Sequence, residues 1–187
     1  MTARAQAAEK TAQDIADAML RLFGSSPYEQ IRLEDVATAA GVTVQTVLRR
    51  FGSKAALMCA VVERELAVIA NERAAAETGS LEQVIDELVR HYERYGELIL
   101  KMYREAPLVE GLPELAAAGR AQHLRWCQTA FAARVKADLD PTTRKRRVAQ
   151  FTAVCDATTW RILRKDRGLS AAQTCRALSE LVAPLVG

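Results

Sequence analysis

The stretch LEDVATAAGVTVQTVLRRFGSKAAL, Leu33 to Leu57, decides how this chain is read. Leu33, Val36, Ala37 and Ala40 recur at three- and four-residue spacing, which marks one face of a short helix. Gly41 follows and permits the positive φ that ends a helix. Thr43 is placed to cap a second helix, its hydroxyl meeting a free backbone N–H. On that helix Val47 and Phe51 stand one turn apart and face inward, with Val42 packing from the turn. Gly52 closes it, and Ser53 caps a third helix that starts at Lys54. Two short helices around a glycine turn make a helix-turn-helix, whose second helix can enter a DNA major groove. From Val36 to Val62 there is no acidic residue, while Arg49, Arg50 and Lys54 are basic. Such a helix approaches phosphates without repulsion. The same turn also joins structural helix pairs with a solvated basic edge, and the turn alone does not separate the two uses.

The residues EDVATAA and GVTVQTVLRRFGSKAAL resemble the DNA-binding signature of the TetR family of bacterial transcriptional regulators. The matching positions are Asp35, Val36, Ala37, Ala40, Gly41, Val42 and Thr43, then Thr46, Val47, Phe51, Ser53, Lys54 and Leu57. Upstream, IADAMLRLF resembles the family's first helix at the right distance. The remainder is similar only in length and helical texture. The chain departs from the family at Leu48, where an aromatic is usual, at Arg50, often Tyr or His, and near Arg32, where Ser or Thr is common. The resemblance implies an all-α fold of about nine helices. A three-helix DNA-binding head over residues 1–55 is joined to a helical ligand-binding and dimerisation domain over 56–187. It implies a ligand-responsive regulator, most often a repressor that binds a palindromic operator as a homodimer and is released by a small molecule.

Site residues follow from position. Val44, Gln45, Thr46 and Leu48 occupy early places on the second helix, from which side chains reach base edges. Gln45 suits a bidentate contact to adenine, and Leu48 suits a thymine methyl. Arg50 and Lys54, with Arg49, Arg32 and Thr43, are assigned to phosphates. Lys54 follows the Ser53 cap, so it stands at a helix N-terminus that itself attracts phosphate.

In the family the C-terminal helices enclose a small-molecule site. Tyr92, Tyr95, Tyr103, Trp126, Phe131, Phe151 and Trp160 are the aromatics available to line one, and Asp156 is placed to orient a polar group. Aromatics at helical spacing also serve as plain core, and Asp156 as a solvated or capped acid. Dimerisation in such proteins uses the last two helices. Here these present Val154, Thr158 and Ile162, then Leu178, Leu181, Val182 and Leu185, as the seam of a four-helix bundle. The other use of these residues is to close the monomer's own core.

Composition narrows the alternatives. The net charge of +3 is too mild for a general nucleic-acid coat, so DNA binding has to come from a local patch. Few aromatics and frequent alanine favour helices over strands. The cysteines, Cys59, Cys127, Cys155 and Cys175, lie too far apart in sequence for a metal knuckle or a CxxC motif. They read as reduced thiols, with redox sensing the minority use. His91 and His123 read as surface or pocket-lining groups rather than metal ligands. No phosphate loop, HExxH, GxSxG or dinucleotide fingerprint occurs, so neither an enzyme nor a cofactor is expected. No segment reads as a signal peptide or a membrane span, which points to a cytoplasmic protein. A second basic cluster, Arg144 to Arg147, reads as a solvated face rather than a further DNA contact. A helical adaptor that kept the helix pair without binding DNA is the rival function.

The punctuation predicts the remaining helices. Residues up to about Ala7 read as a loose arm and Ala8–Phe23 as the first helix. The fourth helix is expected from Lys54 to about Glu77, with a break at Thr78–Ser80. The fifth is expected from Leu81 to about Tyr95, with Gly96 interrupting it before a further helix. A helix from about Pro113 to Leu139, one from Pro141 to about Asp166 and one from Ser170 to about Val186 complete the chain.

Overall fold

A computed structural model describes residues 3–74, 79–132, 134–135 and 139–186. All regular structure among them is helical: α1 Ala3–Ser25, α2 Leu33–Ala40, α3 Val44–Phe51, α4 Lys54–Ala74, α5 Leu81–Glu105, α6 Leu112–Ala132, α7 Pro141–Val154, α8 Ala157–Arg161 and α9 Ala171–Val186. The chain divides into two compact units. The all-α expectation holds among these residues. Helix α1 starts at Ala3, so the expected arm is helical from there on. The expected end of the fourth helix at Glu77 and break at Thr78 lie outside the described residues, as do Met1, Thr2 and residues 136–138.

The first unit comprises the chain through Ala67 together with Met102–Ala117. Ile15, Ala18, Met19 and Phe23 lie on one face of α1 and are fully buried. α2 contributes Val36, α3 contributes Val47, and α4 contributes Leu57, Met58 and Val61 to the buried set. Truncating Phe23 to alanine would cost about 3–5 kcal/mol by lost transfer energy and the cavity left behind. A 3-10 turn, Tyr28–Gln30, connects α1 to α2. Its Tyr28 backbone N–H donates to Glu105 Oε2 at 2.9 Å, and the Cys59 thiol donates to the Glu110 carbonyl at 3.4 Å. The expected head of residues 1–55 therefore differs from the compact unit, which needs residues far downstream to satisfy a buried backbone donor.

The second unit comprises Val68–Lys101 and the chain from Ala118 on. Val84, Ile85, Leu88 and Tyr92 form one buried stripe on α5. Opposite lie Trp126, Cys127 and Phe131 of α6, Phe151 of α7, Trp160 of α8, and Leu178 and Val182 of α9. Phe131 and Phe151 stack with ring centres 4.4 Å apart. The Tyr92 hydroxyl donates to the Cys155 carbonyl at 2.8 Å, satisfying an end carbonyl of α7.

Two expectations are corrected here. α5 runs unbroken through Gly96. That glycine serves close packing, since a Cβ there would overlap the Trp160 ring. The helix expected from Pro141 to Asp166 breaks at Cys155–Asp156, because Asp156 caps α8 by accepting from Thr158 N–H at 2.8 Å. A π-helical turn, Ile162–Asp166, follows α8. Glu93 steadies it by accepting from Trp160 Nε1 at 3.0 Å and from Arg164 Nε at 2.9 Å.

The seam residues separate into two groups. Leu178 and Val182 are buried in the unit's own core, and Val154 and Leu185 pack partly against it. Leu178 and Val182 are thus corrected from seam to core, as a helix buries the stripe that its own neighbours cover. Thr158, Ile162 and Leu181 remain exposed, the last two at 47% and 49%.

Candidate nucleic-acid interface and effector cavities

The helix pair is built by its caps. The Arg32 backbone N–H donates to Asp35 Oδ2 at 3.2 Å and starts α2. Gly41, at φ +67°, ends it, with Val42 N–H donating to the Ala37 carbonyl at 2.9 Å. Thr43 Oγ1 accepts from Thr46 N–H at 3.2 Å and opens α3. Val47 is the residue that α3 buries, at 1% exposure, which fixes the helix's rotation. Gln45, Leu48 and Arg49 are then left in solvent on the opposite side. Leu48 is one of few large apolar side chains exposed in the molecule, at 41%. Val44 and Thr46 are half-buried, and the Thr46 hydroxyl lies 3.0 Å from that of Thr43. The four residues placed at base edges thus divide into an exposed pair, Gln45 and Leu48, and a pair partly engaged within the protein.

The cations divide as well. Arg32, Thr43 and Arg49 are exposed. Arg50 is exposed but donates to the Ala8 carbonyl at 2.9 Å, with Glu9 at 3.8 Å, and so ties α3 to α1. Lys54 is corrected. Its ammonium donates to the Tyr28 carbonyl at 3.0 Å and the Ile31 carbonyl at 2.9 Å, and stands 4.1 Å from the Tyr28 ring centre. Two of its three donors are spent on the connection between α1 and α2. The sequence signal was there in hindsight, since a 3-10 turn leaves end carbonyls that need a donor. What sequence could not give was the path of the chain that brings them to Lys54.

In the second unit two cavities open beside the aromatic candidates. Tyr95 lines one of about 280 Å³ with His91, Glu72, Glu87, Arg90 and Arg94. Its charges are balanced, Arg94 pairing with Glu72 at 2.7 Å and Arg90 with Glu87. Trp126 lines another of about 150 Å³ with Ala70, Arg73, Gln122, Arg125 and Thr129. Tyr92, Phe131, Phe151 and Trp160 are core residues, and neither cavity's lining includes them. Tyr103 belongs to the first unit. Asp156 is the α8 cap described above.

His91 is buried and lines the 280 Å³ cavity, and His123 is half-buried. Burial and the positive charge of Arg73 push His91 down to about 3 and His123 down to about 4, so both are neutral at pH 7. Among the described residues no cluster suited to a metal ion occurs. Burial raises all four thiols, Cys175 to about 11 and Cys127 to about 12, which keeps them protonated and argues against redox sensing. In the second basic cluster, Arg147 donates to the Leu185 carbonyl at 3.0 Å and closes the end of α9.

Comparison with known proteins agrees with this geometry. Residues 15–61, which contain α2 and α3, match the sequence model of "Bacterial regulatory proteins, tetR family". The HTH-type transcriptional repressor KstR of Mycolicibacterium smegmatis is 29% identical over 144 residues, covering 73% of this chain and 68% of that protein. Among solved structures, NalD, the secondary repressor of the MexAB-OprM multidrug efflux pump in Pseudomonas aeruginosa, superposes with a TM-score of 0.69. It is 19% identical, over 97% of this chain and 98% of its own. FadR of Bacillus subtilis, in complex with stearoyl-CoA, gives 0.66 at 13% identity, over 94% and 97%. At these identities the structures speak for the fold.

Proposed function

The chain belongs to the TetR family of bacterial regulatory proteins, and from that premise we propose that it represses transcription by binding a palindromic operator as a dimer and lets go when a small molecule occupies its second unit. Its family is one of ligand-responsive transcriptional regulators rather than enzymes. The observation that carries the DNA reading is the face of α3, where buried Val47 aims Gln45, Leu48 and Arg49 outward from a capped helix. Gln45 is assigned to a base edge, Leu48 to a thymine methyl, and Arg49 and Arg32 to phosphates. Thr43 adds a weaker phosphate contact, and Val44 and Thr46 support the reading pair.

One helix-turn-helix covers few base pairs. Two heads on a two-fold axis read both half-sites, about 34–36 Å or a multiple apart. Exposed Ile162 and Leu181 are the apolar groups available to hold two copies together. FadR of Bacillus subtilis is described with stearoyl-CoA, which supports a small-molecule effector here. Residues 1–55 supply the DNA contacts and the remainder the effector and dimer functions. Effector and operator then oppose each other with the same coupling free energy in either direction. Among the described residues no helix is long and apolar enough to cross a membrane, and binding to chromosomal DNA places the protein in the cytoplasm.

The test is an electrophoretic shift on DNA flanking the protein's own gene, followed by footprinting. A protected palindrome supports the proposal. No sequence-selective shift against competitor DNA would leave the adaptor as the better account.

A further inference from the structure

Arg73 is the odd residue of the second unit. It is 5% exposed, and no carboxylate pairs with it among the described residues. A buried cation without a counter-charge is destabilising and calls for a partner. Its surroundings fix its orientation. The guanidinium lies over the Trp126 ring at 4.1 Å, and Trp126 Nε1 donates to the Arg73 carbonyl at 3.3 Å. Nη1 stands 3.3 Å from His123 Nδ1. Arginine only donates, so Nδ1 accepts and the His123 proton sits on Nε2, which faces the Cys127 sulfur at 3.5 Å. Nη1 is thereby used, while Nε and Nη2 are buried with no partner. These two form the side-on edge of the guanidinium, whose parallel N–H groups match the two oxygens of a carboxylate.

The adjoining cavity has the complementary character. Among the described residues, the 150 Å³ space is lined by Arg73 and Arg125 and by no acidic residue. Its neighbour across the unit has two arginines, each paired to a glutamate. Trp126 and Ala70 give the first cavity an apolar wall, and Gln122 and Thr129 lie beside it.

We propose that Arg73 anchors an effector site in this cavity, and that the effector is an organic carboxylate on a small apolar body. The carboxylate takes the Nε/Nη2 edge, and the apolar body lies against Trp126. This rests on the regulator reading and names the chemical class of its ligand.

Calorimetric titration of the full chain with benzoate tests it, with benzamide as the uncharged isostere. Benzoate is expected to bind at least tenfold more tightly than benzamide. Arg73→Gln is expected to lose at least tenfold in benzoate affinity, with Arg73→Lys intermediate because it keeps the charge without the fork. Arg73→Met supplies the same comparison if the glutamine variant does not fold. Failure of benzoate to bind the parent, equal binding of acid and amide, or parent-like binding by the variants overturns the proposal. Tighter binding of phenylphosphonate than of benzoate overturns the choice of carboxylate. A parent that shifts operator DNA but binds no benzoate sinks this inference alone. One that binds benzoate but selects no DNA sinks the regulator reading instead.

Discussion

Replacing Lys54 by methionine removes an ammonium while keeping the apolar stem, which isolates what the charge does. Lys54 stands at the start of α4, where the helix dipole disfavours a cation. Its two bonds to the Tyr28 and Ile31 carbonyls offset that cost. Hydrogen bonds to a charged group contribute about 1.5–3 kcal/mol each when well buried. The contact over the Tyr28 ring adds roughly 0.5–1 kcal/mol. The residue is only half-buried, so water takes over the released carbonyls and returns part of the loss. The net expected for Lys54→Met is on the order of 2 kcal/mol. For a chain of this size that lowers the melting temperature by roughly 4–8 °C. The assay pairs thermal melting with operator affinity across a salt series. Because Lys54 faces the protein, the salt slope is expected to stay at the parent value, whereas Arg49→Ala is expected to reduce it by about one. A Lys54→Met protein with the parent's melting temperature and a reduced slope would refute the internal role and return Lys54 to the phosphates.

Gln45→Ala is expected to cost roughly 1–3 kcal/mol on the true operator and to relax preference at one base pair; an unchanged preference in a binding-site selection rules the contact out. Gly96→Ala forces a methyl against the Trp160 ring and is expected to cost about 1–3 kcal/mol by overpacking, so a parent-like denaturation midpoint would contradict the packing described. Leu181→Asp is expected to give monomers in sedimentation and weaker operator binding with α3 untouched; a parent that sediments as a monomer at micromolar concentration yet binds a palindrome tightly defeats the dimer proposal. For pH, His91 and His123 are held near 3 and 4 in the folded state, by burial first, with the charges of Arg73 and Arg94 adding and Asp156 opposing at His123. The unfolded chain binds more protons between about pH 4 and pH 6.5, so stability rises with pH across that window and is lost as pH falls through it. His91→Phe is expected to flatten the fall in melting temperature over that range, and an identical pH profile for parent and variant would count against a buried neutral His91.

The helix-turn-helix was legible in the sequence because its determinants are local. Gly41, Thr43, Gly52 and Ser53 act on backbone groups within four residues, and Val47 alone is enough to set the rotation of α3. Hence Val44, Gln45, Thr46 and Leu48 could be placed outward from spacing, although only Gln45 and Leu48 of these four are exposed. Lys54 could not, since its partners lie 23 and 26 residues away, at the ends of a turn whose position depends on the packing of α1 and α2. Gly96 failed for a related reason, and so did the continuity of the helix expected through Asp156. A glycine in a helix reads locally as a break and an aspartate in a helix as a polar outlier, until Trp160 and Thr158 are set beside them. The apolar residues of α9 carry no mark in sequence that separates Leu178 and Val182, buried by their own chain, from Leu181, left bare. Nor does Arg73 announce itself among the chain's 26 lysines and arginines. Only burial on Trp126, and the lack of a carboxylate partner among the described residues, turn it from a surface charge into a group that needs a partner. Capping and periodicity act through the nearest turn of backbone, so sequence alone determines them. Burial, charge pairing and cavities are set by which distant segments meet, and these the tertiary structure decided.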